Sequence, residues 1–535
     1  MRLFLVRVLA ATAVSASLLV TIAWVEGPEG RAQEPKQPAA KGNTETLSAI
    51  HCIGCHGGPD TPAYKAYSQK EGDKPPRTDF ILLTEYHTWK NDDIHAEALK
   101  NIEPKVSADG KPANLAGKMQ DILSKSPARV GKEYHVETAA ECLTCHAVDR
   151  RPGPVSSPSL AAGDRFNRET GVSCEACHGL VSEEWIGQHF QRNWREQTPE
   201  AKRKFGQVDL RDPQQRAMKC ASCHIGNKEE GKFVTHEMYA AGHPPLPPFE
   251  LVTYCRDEPR HYIANRDNKT LKAMDSKQQS NFHYRPDELQ NTRDFAMGTL
   301  AAFEATMKLL AEDAKTTAEA GNLLDFAHFD CYACHHDLKV ENESRKPRPG
   351  VIPGRPVMRP WATETLQVVM NHGGKNQKTD KATVELNTLM TRLTDSFNVR
   401  PFGDPDSVAK EATVLAKWCE QARVDIQRVN YNREESINLY HRLAKHLGTL
   451  RSKDVYLDHD TAQQLAWGLV VIQEELSPQK KDVPALDQVV RLRLRGMERE
   501  SVEKRLPARY DQIYGFKRDS FLDAADGFLK SFDPK

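Results

Sequence analysis

A chain of 535 residues with a formal net charge of zero and 28% charged side chains lacks the basic excess of a nucleic-acid binder. Its length admits roughly two to four ordinary domains. Hydrophobic residues at 39% and aromatics at 7% are a modest supply for a core of this size.

The chain opens Met1-Arg2-Leu3-Phe4-Leu5-Val6-Arg7, runs almost unbroken apolar from Val8 to Val25, and reaches small residues before Gly30-Arg31-Ala32-Gln33. A basic start, an apolar run and a small residue at the end read as a signal peptide over residues 1–33, cut near Ala32. The run is close to bilayer-spanning length, so an uncleaved N-terminal membrane anchor is the alternative. Either reading exports the bulk of the chain, to the periplasm or its equivalent. No second long apolar run follows. Glu34 to Asn43, with Pro35, Lys36, Pro38 and Lys41, reads as a polar tail.

From residue 52 one five-residue frame recurs. The copies are Cys52-Ile-Gly-Cys55-His56, Cys142-Leu-Thr-Cys145-His146, Cys174-Glu-Ala-Cys177-His178, Cys220-Ala-Ser-Cys223-His224 and Cys331-Tyr-Ala-Cys334-His335. Histidine fills only 20 of 535 positions, so five histidines directly after five Cys-x-x-Cys pairs are no accident of composition. Cys-x-x-Cys-His is the attachment frame of c-type haem. On a short helix, residues i and i+3 share a face and i+4 lies beside them. Two thiols so placed can reach the two vinyl groups on one porphyrin edge, and the following imidazole turns toward the iron. The sequence therefore predicts five covalently attached haem c groups, which supply the apolar volume that the side chains do not.

Structural zinc is the competing reading, for instance Cys142 and Cys145 with Cys174 and Cys177. It leaves the histidine after every pair unexplained, and five pairs do not divide into four-thiolate sites. The copies are unevenly spaced, which argues against tandem modules and for one pentahaem cytochrome domain over residues 44–345 with sparse regular structure.

Inside that region Ala296, Leu300, Phe303, Met307 and Leu310 recur at helical spacing, predicting a helix from Asp287 to about Leu310. Pro347, Pro349, Pro353, Pro356 and Pro360 mark residues 346–360 as an extended linker. The remainder, 361–535, carries helical stripes without any haem frame. Leu386, Leu389, Met390, Leu393 and Phe397 form one; Val408, Ala412, Leu415, Cys419, Ala422 and Ile426 form another, with Asp406-Ser407 as its cap. Further stripes run from Ile437 to Leu447, Leu465 to Leu476 and Phe521 to Phe532. The fold expected is mainly α: a haem-packed domain plus a C-terminal helical region, either a separate bundle or a layer over the haems.

Five irons closed on both faces need five more ligands. Candidates are His95 in Trp89-Lys-Asn-Asp-Asp-Ile-His95, His189 in Trp185-Ile-Gly-Gln-His189, and His236 and His243, the latter fixed by the run Pro244-Pro245-Leu246-Pro247-Pro248. His336 cannot serve the iron of its neighbour His335 but could reach an adjacent haem.

These segments, with Gly171-Val-Ser-Cys-Glu-Ala-Cys-His-Gly179, Thr235-His-Glu-Met-Tyr-Ala-Ala-Gly-His-Pro244 and Phe329-Asp-Cys-Tyr-Ala-Cys-His-His-Asp337, resemble a multihaem cytochrome family over about residues 50–340. That family includes the tetrahaem cytochrome that accepts electrons from hydroxylamine oxidoreductase. The resemblance implies a mostly helical domain with stacked haem pairs, an electron-transfer role, and His95, His189, His236, His243 and His336 as distal ligands. This chain departs from it by a fifth frame and a long C-terminal extension. Members can also keep one iron five-coordinate.

Gly226-Asn-Lys-Glu-Glu-Gly231-Lys232 approaches a phosphate-binding loop, but Phe233 replaces the hydroxyl that would hold a metal. Cys255 and Cys419 are left over; they could pair, though Cys419 on an apolar stripe reads as a buried free thiol. The leading expectation is an exported electron carrier between a redox donor and an acceptor protein, with a place in a respiratory complex as a further option. The alternative is an oxidoreductase acting on small nitrogen or sulfur compounds at one open iron, its pocket lined by His87, His135, His261, His283 or His328. The lysine-ended frame usual at such active haems does not occur, so carriage outweighs catalysis.

Overall fold

The computed structural model describes residues 49–61, 65, 81–127, 129–149, 166–167, 171–191, 194, 197–336, 346, 348, 350–372, 377–453, 455–478, 484–490, 492, 513, 515–532 and 534. The leader and polar tail lie outside them. The fold is mainly α, with one two-stranded antiparallel ladder, β1 (Val148–Asp149) on β2 (Phe166–Asn167). Among the described residues no helix is long and apolar enough to cross a membrane.

The first part is built of short helices: α1 (Ala49–His56), α2 (Glu85–Asp92), α3 (Leu115–Leu123), α4 (Ala140–His146), α5 (Cys174–His178), α6 (Glu183–His189), α7 (Pro199–Arg203), α8 (Pro213–His224), α9 (His236–Ala240), α10 (Leu251–Asp257), α11 (Lys269–Ala273) and α12 (Ser276–Asn281). Four of the five cysteine frames close one of these helices. The fifth is a single 3-10 turn, Cys331–Ala333. Side-chain cores here are small, such as Ile102, Ala140, Leu143 and Ala147, or Ala49, Trp89 and Ala96. The modest apolar content of the chain is concentrated elsewhere.

It lies around α13 (Gln290–Glu319), thirty residues long, in which Phe295, Leu300, Phe303 and Met307 are wholly buried. The helix outlasts the predicted stripe because Ala311 and Ala314 continue its buried face past Leu310. Helices α14 (Trp361–His372), α15 (Gln377–Asn398), α16 (Pro405–Arg428), α17 (Arg433–Lys453), α18 (His459–Leu476), α19 (Pro484–Val490) and α20 (Arg518–Ser531) surround it, and one continuous core runs from Ala217 on α8 to Phe532. The C-terminal helices are thus a layer sharing a core with α8, α10 and α13. The cap of α16 is Asp404, which accepts from Ser407 N at 3.1 Å, with Pro405 in the first turn; the predicted Asp406-Ser407 lie inside the helix.

Polar contacts join the same two parts. Leu289 precedes α13 and offers no side-chain cap, so Glu475 of α18 accepts from Asn291 N (2.8 Å) and Thr292 N (2.7 Å) instead. Gln464 on α18 donates to Phe249 O at 3.0 Å. Cys419 is buried on α16, and both it and Cys255 are free thiols.

Close helix crossings need glycine. A Cβ on Gly298 of α13 would lie 2.6 Å from Leu251 Cβ on α10. Helix propensity favours alanine over glycine by up to about 1 kcal/mol, but overpacking against an atom so near the backbone costs about 1–3 kcal/mol. Gly298→Ala is expected to lower the thermal unfolding midpoint, measured by circular dichroism.

Candidate haem-binding site

Four of the five frame histidines face a second imidazole. His56 faces His189 with ring centroids 6.0 Å apart, and His224 faces His95 at 6.1 Å. His178 faces His261 at 6.2 Å, and His335 faces His236 at 6.4 Å. His146 and His243 are close enough for the charge on His146 to depress the His243 pKa. An imidazole nitrogen lies ~2 Å from a bound metal and about 1.1 Å from its ring centre, so rings on opposite sides of one iron have centroids roughly 6 Å apart. The four spacings match that distance.

Five of these rings commit their second nitrogen in the same way, whereas His189 Nδ1 is buried without a hydrogen-bond partner. His56 Nδ1 meets Glu85 Oε2 at 3.0 Å, and His95 Nδ1 meets Asp93 Oδ1 at 2.8 Å. His146 Nδ1 donates to Ala98 O (2.8 Å), His243 Nδ1 to Pro244 O (2.8 Å) and His261 Nδ1 to Pro259 O (3.2 Å). With Nδ1 occupied, Nε2 is the nitrogen left to hold a metal, and the partner fixes both tautomer and ring angle. Burial, reinforced by the facing histidine, pushes His178, His189 and His243 down to about 4 and His224 to about 3. These rings are therefore neutral at ordinary pH, as ligation requires. His95 is the exception: burial opposes its charge, but Asp93 outweighs it and raises the pKa.

Local sequence places these rings. Ser182 caps α6 by accepting from Trp185 N (3.0 Å), and Trp185 stacks on His189 one turn later, at 4.2 Å and 12°. Asp212 and Pro213 start α8, which ends on His224. Thr235 caps α9 by accepting from Met238 N (3.2 Å), which sets His236 in its first turn. Trp89 Nε1 donates to Val172 O and Val172 N to His95 O, both at 3.0 Å, tying the His95 segment to the third frame.

The thiols pair across frames. Cys52 hydrogen-bonds Cys174, and Cys145 hydrogen-bonds Cys223. Attachment edges one and three are therefore adjacent, as are two and four, and the zinc quartet of Cys142, Cys145, Cys174 and Cys177 is not assembled. Cys55, Cys177 and Cys220 are half-buried in their frames, whereas Cys331 and Cys334 are exposed. A cleft lined by His224, Phe233, Tyr239, Leu246 and Met358 opens beside the fourth frame. Facing rings, committed Nδ1 atoms and paired thiols all fit covalently bound haem.

Of the distal candidates, His95, His189 and His236 each face a frame histidine, and His243 lies near enough to His146 to feel its charge. The ring opposite His178 is His261, for which the sequence predicts only a place in a substrate pocket. Its companions in that pocket are apart: His283 meets Asp209 (2.9 Å), His328 meets Asp313 (2.9 Å), His135 meets Glu133 (3.0 Å), and His87 is exposed. Glu85 and Asp93 were also missed, although a carboxylate two residues before His95 was visible in the chain.

The family model described as cytochrome c554 and c-prime matches residues 83–179, which include the second and third frames, Trp89 and His95. No curated protein and no solved structure matches. The match supports a multihaem c-type cytochrome with covalently bound haem c, engaged in electron transfer with redox proteins.

Proposed function

We propose that this chain is an exported pentahaem cytochrome that relays single electrons from a donor protein to an acceptor protein through bis-histidine haems. The observation that carries the reading is the set of facing imidazoles at 6.0–6.4 Å, one pair for each of four frames, with His146 and His243 as the fifth. Each of the ten frame cysteines would form one thioether. Bound haem supplies one-electron chemistry at its iron. With an imidazole on either side, the chain's own residues would close both faces of that iron, which would exclude a substrate and lower the potential relative to His/Met ligation.

Glu85 and Asp93 hold the Nδ1 protons of His56 and His95 and make those imidazoles stronger donors than His146, His243 and His261, which rest on backbone carbonyls. The five sites are therefore graded in potential. The export part of the reading rests on the N-terminal leader.

Electron paramagnetic resonance of the ferric protein, with absorption spectra of the reduced protein under carbon monoxide, tests the reading. Low-spin signals alone and no carbon monoxide shift are expected. A high-spin signal with a carbon monoxide-sensitive band would sink it and favour an oxidoreductase with an open iron.

A further inference from the structure

The fifth frame differs from the others in what lies behind it. Asp330 precedes Cys331 and accepts from Tyr332 N at 3.0 Å. Arg348 Nη2 lies 2.5 Å from Asp330 Oδ2, and the Arg348 guanidinium lies 3.8 Å over the Tyr456 ring. On α18, Asp460 pairs with Arg359 and stands 3.3 Å from His459 Nδ1. Asp458 caps the same helix, accepting from Thr461 N at 2.6 Å. Among the described residues no cation pairs with Asp458.

Asp330, Asp458 and Asp460 are each at least 95% buried. Asp330 and Asp460 each pair with an arginine and Asp458 does not, so its negative charge out of water is costly unless a proton neutralises it. Burial first, then Asp330 and Asp460, push the Asp458 carboxyl up to about 7. The same carboxylates act on the frame itself: burial, and then Asp460, Asp330 and Asp458 against Arg359, raise the Cys331 thiol. The charge set therefore reaches the sulfur that fastens the fifth haem.

We propose that Asp458 is a proton-uptake site coupled to electron arrival at the haem of the fifth frame. The inference rests on the proposed haem at Cys331, Cys334 and His335. The haem held there would take up one electron from the donor protein, and one proton from the solvent acid–base pool would add to the Asp458 carboxylate. No other bond changes. The added negative charge strengthens proton binding, and by linkage a bound proton strengthens electron binding by the same factor. The groups that act on or feel Asp458 are Asp330, Cys331 and Tyr332 on the frame segment, Tyr456 on the connecting segment and Asp460 on α18, with Arg348 and Arg359 behind them on Asp330 and Asp460.

The test is spectroelectrochemistry of the full, haem-loaded chain from about one pH unit below to one above the value near 7. One of the five midpoints should fall with rising pH, by up to about 59 mV for each tenfold drop in proton concentration. Asp458→Asn keeps the helix cap and should flatten that slope while the other four midpoints stay in place. An unchanged slope in the variant overturns the proposal. In the unsubstituted protein, the reduced-minus-oxidised infrared difference should contain a protonated carboxyl band that shifts in heavy water. Absence of that band also overturns it. A mass showing only four attached haems would instead defeat the pentahaem reading.

Discussion

His261→Ala is expected to open one iron in five. The ferric spectrum should gain a high-spin component from one haem, and the reduced protein should bind one equivalent of carbon monoxide. His336→Ala should leave both spectra unchanged. The contrast follows from geometry: His261 stands 6.2 Å from His178, held by a hydrogen bond from Nδ1 to Pro259 O, whereas His335, the neighbour of His336, is already met by His236. Alanine removes the imidazole without disturbing a helix, since His261 lies beyond the end of α10. The reverse result, with His336 controlling the spin state, would transfer the ligand role to His336 and sink the pairing.

Gly179→Ala should lower stability by about 3–5 kcal/mol, summing the cost of a glycine-only backbone conformation with that of overpacking. Gly179 ends α5 directly after His178, with φ 101° and ψ 155°. A Cβ there would also press on the Gly206 carbonyl oxygen, far inside normal contact. Relief requires moving the strand of chain that His178 O holds through Val208 N at 2.9 Å. The damage is thus centred on the third frame. The checks are a denaturant melt and the haem-to-protein ratio by pyridine haemochrome and mass, which should fall toward four. A variant that melts with the parent and carries a full complement would refute the argument.

The five frames were legible because haem attachment is a local problem: two thiols and an imidazole on one helical turn. Distal ligation is not local. His261 is far from His178 in sequence and becomes its partner only through the turn after α10, so no spacing rule could select it. His336 drew attention through its adjacency to His335, but adjacency on a 3-10 turn says nothing about which iron a ring reaches. The helices after residue 361 were legible from their stripes, and α13 from its large apolar residues. Its last turns were not, because alanines such as Ala311 and Ala314 carry burial without standing out as a stripe. The shared core was hidden for a similar reason: an apolar face announces that it is covered, not which segment covers it.

The position of α13 sets an order of assembly. A chain made from its N-terminus presents all five attachment frames, and α13 among them, before α16 and α18 exist. During that interval the α13 core that holds Phe295, Phe303 and Met307 has α8 and α10 beside it but lacks its C-terminal layer, and Asp330 lacks the two aspartates that will crowd it. A fragment ending in the proline segment would stay in that state, with an apolar rod open to its neighbours. Synthesis of the last third of the chain is therefore the step that seals the protein, turning a loaded but sticky intermediate into one that can be released.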